Sequence, residues 1–312
     1  MVGGRKHGQF NFVWLFAIVA GGAILFLAIY GVLRFGDTAR FQSDTEAAKS
    51  IAIITDPLQA GFAEGKFGRI SFQQESRINN ICFDDGFGKN DISVATRSDI
   101  GEEWNLPGGA SSIHNKYIFS SGKSSGLDYY VFSKPFNFPY EVSDLIFLTP
   151  EHYCFVNAPD NLLGLSVPNI EMGNCSFADG VRVCFGFGDD CDVMVYGSCS
   201  SGCDSVYDEG VVVKGGVDMK YVGSLMYGAI FSDKGIYDCN VRRLLYRAGK
   251  IAEEFVDKAD LMDARNCNTN LKPDLIIWGA MVGNASVGDL SSLRTMADVI
   301  DRKNGREGCG IW

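Results

Sequence analysis

Ser120-Ser121-Gly122-Lys123 has the S-x-x-K spacing in which a lysine amine takes the proton of a serine hydroxyl and turns it into a nucleophile. Lys214-Gly215-Gly216 loosely matches the lysine element that accompanies that pair in β-lactamase chemistry. The chemistry requires the serine to open a helix beneath its lysine, with an S-D-N element nearby. Here the match lies in a Ser/Gly turn between strand-like runs and S-D-N does not occur, so a turn is the expected structure. Gly122-Lys123-Ser124 lacks the upstream glycine of a phosphate loop, because Tyr117 holds that place. Histidine chemistry has little to draw on, since only His114 and His152 follow the N-terminal His7. His114 reads as a loop residue and His152 as the start of a strand. Carboxylates cluster on Gly-rich turns at Asp84-Asp85-Gly86 and at Asp189-Asp190 with Asp192. Calcium accepts such oxygens, yet neither segment has EF-hand spacing, and turn formation alone accounts for these residues. They are weak calcium candidates; no catalytic residue, metal set or cofactor is assigned.

The ten cysteines form the larger constellation. Zinc needs tetrahedral sets built from paired short knuckles, and only Cys199 to Cys203 approaches that spacing. An even number of cysteines with few histidines instead suits structural disulfides in an oxidising compartment. A helix from about Asn240 to Leu261 is ~33 Å long, whereas the residues left before Cys267 can return only ~20 Å, so Cys239 and Cys267 cannot bond each other. The two helices that follow are expected to form an antiparallel hairpin that brings Cys267 beside Cys309. Phe185 to Asp190 reads as a hairpin loop, which places Cys184 opposite Cys191 across two strands. Cys199 and Cys203 can close a tight loop. Cys82, Cys154, Cys175 and Cys239 remain without assigned partners.

The first element that must position these residues is a membrane-type helix. Phe12 to Val32 is an almost purely apolar run without a charge, preceded by Arg5-Lys6-His7. Roughly 21 residues at ~1.5 Å rise span ~31 Å, close to the ~30 Å core of a bilayer. The run is too long for a signal-peptide core and closes on Leu33-Arg34-Phe35-Gly36-Asp37 rather than on a small-x-small cleavage site. Basic residues near it are balanced, Arg5 and Lys6 before against Arg34 and Arg40 after. The cysteines decide the orientation: tail cytoplasmic, remainder extracytoplasmic, in a single-pass cell-membrane protein. Ala17, Gly21, Ala28 and Gly31 share one helical face that can admit a second helix, so self-association is a further expectation. The net charge of −10 argues against nucleic acid as a partner and leaves membrane lipid and a protein or glycan at the cell surface.

Beyond the run, the chain has the composition of a folded domain, with 46% hydrophobic residues overall. Ala47, Ala48, Ile51, Ala52 and Leu58 predict a helical stalk over 34–66 that packs one stripe against a head, with a break at Asp56-Pro57. Short runs rich in Val, Ile, Phe and Tyr over 67–232 predict a mainly antiparallel β head, because their links look too short for crossovers. Asp91–Thr96, Tyr117–Ser120, Tyr129–Ser133, Leu145–Leu148, Val181–Phe185, Val193–Tyr196, Val211–Val213 and Leu225–Phe231 are its expected strands. Over 233–312 the period becomes helical. Val241, Leu244, Leu245, Ala248, Ile251, Ala252 and Phe255 form one stripe, and Arg242, Arg243, Arg247 and Lys250 take the opposite face. Further helices are expected from Pro273 to about Val282 and from about Asp289 to Asn304, stopped by Gly305. The fold class is α+β, with tail 1–11, membrane helix 12–33, stalk, β head and C-terminal helical cap.

Arg5-Lys6-His7-Gly8-Gln9 followed by the apolar helix resembles the start of archaeal type IV prepilins. The resemblance implies a class III signal cut after Gly8, with Gln9 as the first mature residue, and a helix rising from the membrane into a β-rich head. The chain departs from that family at Val13, where an acidic residue is expected, and in its helical C-terminal cap. As a whole it is similar to single-pass membrane proteins of archaea, a resemblance that implies no activity. Three readings follow: an anchored surface protein with a binding or structural, non-catalytic head; a pilin-like subunit of a filament or its assembly base; and a membrane-tethered enzyme.

Overall fold

The computed structural model describes residues 12–59, 67–97, 103–159, 162, 167–173, 175, 180–198, 205–267, 269–306 and 309–312, with backbone only at 33–37, 52–59 and 305–306. Helix α1, Phe12–Gln59, is continuous for 48 residues, or ~72 Å. It does not break at Asp56-Pro57. A proline in the last turn removes a single backbone hydrogen bond, so the helix survives to Gln59, two residues further. The window Phe12–Val32 has a mean hydropathy of 2.6 and none of it is buried. Where the helix meets the head, Ala48 and Ile51 are buried and Ala47 packs beside them. Of the remaining expected stripe, the side chains of Ala52 and Leu58 lie outside the described ones.

The first sheet has the order β3-β2-β1-β5-β6-β4, from Ser111–His114, Lys89–Thr96, Phe67–Phe83, Lys123–Asn137, Glu141–Thr149 and Tyr117–Phe119. Ile78, Ile92, Val94, Val131, Ile146 and Leu148 of this sheet close over Ala48 and Ile51 of α1. The second sheet has the order β12-β11-β10-β9-β7-β8, from Val217–Val222, Glu209–Lys214, Val193–Gly197, Val181–Phe185, Tyr153–Val156 and Ile170–Met172. Both sheets are mixed rather than mainly antiparallel, because β4–β6, β7–β8, β7–β9 and β9–β10 are parallel. Short strands make a short return possible. Val193 of β10 pairs with Val183 of β9, so the link after Phe185 has only to drop back by two residues, ~7 Å. Cys184 and Cys191 are bonded, but across this parallel return and not across a hairpin. Gly188 lies so close to the bridge that a Cβ there would sit 2.6 Å from Cys184 Sγ.

The expected strand Leu225–Phe231 is a helix, α2, and all seven of its residues are buried. It is wedged against β6 of the first sheet and β11 and β12 of the second. A short, uniformly apolar run fits strand and buried helix equally. A segment held between two sheet faces has no free strand edge to pair with, and only a helix satisfies its own backbone groups. Helix α3, Lys234–Asp263, runs beneath the first sheet, followed by α4, Lys272–Val282, and α5, Leu290–Arg306, which passes through Gly305. Cys267 is bonded to Cys309. The largest core joins Phe119, Phe132 and Phe147 of the first sheet to Tyr153 and Phe155 of the second, with Phe231 and Trp278.

The segment 103–110 locks α1 onto the head. Gly109 N donates to Thr45 Oγ1 at 2.8 Å, and Asp44, itself buried, accepts from Thr96 N and Oγ1 at 3.4 Å each. A Cβ at Gly108 would lie 2.6 Å from the backbone nitrogen of Thr45. Gly108→Ala is therefore expected to destabilise the head by about 1–3 kcal/mol through overpacking, read as a lower urea midpoint at unchanged slope.

Candidate functional site

The two lysine motifs converge on one place, the junction of α2 and α3 at Ser232-Asp233. Ser120 and Gly122 leave β4 in a turn, and Gly122 N donates to Asp233 Oδ2 at 2.7 Å. Lys214, at the end of β11, is held by its Nζ donating to the carbonyls of Ile230 (3.1 Å) and Ser232 (3.4 Å). Nearby, Tyr153 donates its hydroxyl to Glu151 Oε2 at 2.8 Å. Burial lowers the pKa of Lys214, with the charges of Glu151 and Asp233 opposing it, and burial raises that of Tyr153 far above the usual phenol value.

A desolvated amine beside carboxylates has the composition of a proton-transfer site. The geometry assigns it another task. Lys214 caps the last carbonyls at the C-terminal end of α2, a position that favours a cation, and Asp233 orders the Gly122 turn. Ser120 is buried, donates to Ser121 O at 3.0 Å and accepts from Asn80 Nδ2 at 2.9 Å, while Lys123 is exposed at the start of β5. The serine hydroxyl is thus engaged away from the lysine that the motif would pair with it.

The same stretch carries a second serine spacing, Gly122-Lys123-Ser124-Ser125-Gly126, which matches G-x-S-x-G. It escapes notice beside the overlapping S-x-x-K register. A nucleophile elbow stands on a strand-to-helix turn. Ser124 instead lies buried within β5, paired with Ile78 of β1, and Gly126 packs against Pro150.

The histidines are not brought together. His114 ends β3 rather than lying in a loop and is exposed opposite Lys89, while the ring of His152, just before β7, stands edge-on to Tyr130 at 5.8 Å. Four strand spacings separate β3 from β6, which leads to His152, so ~19 Å lies between them. Asp84 and Asp85 occupy the β1–β2 turn, where Asp84 pairs with Arg242. Asp189 and Asp190 are exposed, and Asp192 Oδ2 accepts from Arg182 N at 2.8 Å. Among the described residues no three His, Cys, Asp or Glu side chains are grouped to hold a metal ion.

Two of the surface grooves among the described residues are of similar, larger size. One of about 580 Å³ runs between α3 and α4, where Gly249 faces Gly279 and Gly283, with Tyr246, Lys250 and Ile276 in its walls. Beside it Ile276, Ile277 and Met281 are about half exposed. The other, about 560 Å³, lies between α1 and the 103–110 segment, lined by Thr38, Arg40, Phe41, Trp104 and Leu106. In α1, Ala17, Gly21 and Ala28 are exposed and Gly31 is half-buried, and a Cβ at Gly21 or Gly31 would touch nothing. The chain matches none of the protein-family models, curated proteins or solved structures compared with it. Function therefore has to be read from this geometry alone.

The cysteines supply most of what the sequence left open. Cys82 is bonded to Cys239 and Cys154 to Cys175, in addition to Cys184–Cys191 and Cys267–Cys309. Cys199, Cys203, Gly8 and Gln9 lie outside the described residues. Arg243 is the other finding: it is fully buried rather than on the polar face of α3. The signal that could have found it is Asn240, one turn earlier and on the same face as Arg243.

Proposed function

We propose that this chain is a membrane-anchored, extracytoplasmic surface protein whose head binds or bears structural load and does not catalyse. One observation carries the reading. A 21-residue apolar window with no buried residue runs without interruption into the stretch of α1 that packs on a disulfide-tied head. Such a surface is stable in lipid and not in water. The four bridges among the described residues suit an oxidising exterior, which supports a cytoplasmic tail and an outward C-terminal region. The serine, lysine and carboxylate groups with chemical potential are engaged in turns, caps and ion pairs, which supports the non-catalytic part. Protein or glycan at the surface is the corresponding partner class, besides membrane lipid and a second α1.

The test is intact-cell labelling. An impermeant maleimide followed by mass analysis with and without reductant is expected to find thiols only after reduction, and external protease is expected to release the head. Free sulfhydryls that become reachable only when the membrane is permeabilised would place the head in the cytoplasm and sink the reading.

The unbroken passage of α1 from an exposed apolar half into a sheet-packed half also favours a pilin-like subunit as the second reading. Sequencing the mature N-terminus separates the two: a chain beginning at Gln9 supports the filament subunit, and an intact tail supports the anchored surface protein.

A further inference from the structure

Between the apolar window and the head, α1 has little length to spare. At ~1.5 Å per residue, Thr38 and Phe41 lie only ~9 Å and ~14 Å along the axis beyond Val32. The headgroup layer occupies about 5–8 Å on each side of the hydrocarbon, so this level is close to its outer edge. The segment 103–110 is anchored further along the helix, by Gly109 on Thr45, ~20 Å beyond Val32, and by Asn105, whose N donates to Thr96 O at 3.1 Å, while its Trp104 and Leu106 line a groove with Thr38 and Phe41. The rim of the head that faces the membrane is apolar where solvent would favour polar groups: Leu106 is 87% exposed and Phe41 51% exposed. Trp104 beside them lies under the guanidinium of Arg77, 4.0 Å from its ring centre, and Arg40 is exposed on the helix. An aromatic ring, aliphatic tips and guanidinium groups are the side chains that settle at a lipid–water interface.

We propose that Phe41, Trp104 and Leu106 form a footprint by which the head docks into the headgroup layer of the same bilayer that α1 spans. This rests on the anchored reading of α1 and adds to it a fixed lean of the head. A rim ~10 Å off the helix axis drops by ~3–4 Å when the helix tilts by ~20°, an ordinary tilt for a membrane helix, which takes a side chain at the level of Thr38 into the headgroup layer and one at the level of Phe41 to just outside it. Chain continuity is what selects the bilayer as the occupant. The other exposed apolar surface, Ile276, Ile277 and Met281 on α4, has no such continuity, and nothing in the structure shows what covers it.

The experiment uses the full chain in phosphatidylcholine vesicles that contain nitroxide-labelled lipid. Loss of the Trp14 emission, taken as the difference between wild type and Trp14→Phe, reports whether α1 sits in the bilayer. In the Trp14→Phe background, the emission of Leu106→Trp is expected to shift to the blue and to be quenched by headgroup-labelled lipid. Because an added indole has its own preference for interfaces, native Trp104 is read in parallel, as the difference between Trp14→Phe and Trp14→Phe/Trp104→Phe. Its quenching by lipid is expected to be lost in Leu106→Asp, a change at a side chain too exposed to disturb folding. If Trp14 is quenched while position 106 and Trp104 respond only to aqueous iodide, the docking is wrong and the anchor stands. If Trp14 itself escapes the lipid label, both fall.

Discussion

Replacing Arg243 with alanine is expected to cost roughly 3–5 kcal/mol, whereas the same change at its neighbour Arg242 is expected to cost less than about 1 kcal/mol. Arg242 makes a half-exposed pair with Asp84 that water and salt largely replace. Arg243 is fully buried, and no carboxylate among the described residues is bonded to it. Its Nε donates to Phe87 O (2.9 Å), Nη2 to Lys116 O (3.0 Å), and Nη1 to both Asn90 Oδ1 (2.5 Å) and Asn240 Oδ1 (2.7 Å), while the guanidinium stands 4.8 Å from the ring centre of Tyr117. Burial pushes its pKa down to about 10, which still leaves it charged at neutral pH. The cation also orients the amides around it. Asn240 Nδ2 donates to Ile118 O (2.9 Å), and Asn90 Nδ2 passes to Asn80 Oδ1 (2.8 Å), so the carbonyl ends of Asn240 and Asn90 face the arginine. Removing it leaves four acceptors short of a donor in the seam between α3 and the first sheet. Each costs ~1–3 kcal/mol if dry, and water entering the vacated space recovers part of the sum. Arg243→Lys keeps the charge but not the fork, so its loss is expected to fall between those of the two alanine variants. Urea titration of the full chain in detergent checks all three, and equal losses for Arg242→Ala and Arg243→Ala would refute the assignment.

Arg243 also marks where reading the sequence runs out. The stripe from Val241 to Phe255 is legible because one face of α3 is apolar in the primary structure, and the relation of Cys267 to Cys309 follows from expecting the two helices between them to form an antiparallel hairpin. Polarity then misleads, since a charged residue on the far side of the stripe is taken for a solvated one. Here that side meets β1 and β4, and apart from Asn240 the groups that satisfy Arg243 lie more than a hundred residues away in the chain. Strand β1 hides for a related reason: Ser76 and Asn80 point inward, which erases the alternation that identifies a half-buried strand. The Leu225–Phe231 helix and the parallel β9–β10 return depend on what surrounds them, and no local pattern separates them from the strand and the hairpin they resemble. The rim at Trp104 and Leu106 was equally silent. Two apolar residues in a loop mean nothing until the fold sets that loop beside the exit of α1.

Removing the disulfides pair by pair is expected to give a graded loss of stability that follows chain separation, largest for Cys82–Cys239 and smallest for Cys184–Cys191. The bridges close separations of 157, 42, 21 and 7 residues for Cys82–Cys239, Cys267–Cys309, Cys154–Cys175 and Cys184–Cys191. The loop-closure relation gives roughly 5, 4, 3 and 2 kcal/mol respectively, as upper values, because a collapsed denatured chain has already lost part of that entropy. The first bridge has a second reason to dominate. It joins β1 to α3 in the seam of Arg243, with Cys82 Sγ 3.6 Å from Asn240 Oδ1, so its loss also frees the helix that carries the buried cation. Cys184–Cys191 acts locally, holding the parallel return against Gly188, and its removal is expected to loosen the β9–β10 pairing in the middle of the second sheet while the global transition moves little. Double serine variants of each pair, unfolded in urea, check the order. Exchange of the amides in β10 distinguishes a local opening from a global one: faster exchange there, with an almost unchanged midpoint, is the expected signature for Cys184–Cys191. A Cys82–Cys239 variant as stable as the Cys184–Cys191 variant would mean that the denatured chain already holds α3 close to β1, and that the seam, not the covalent link, brings the two together.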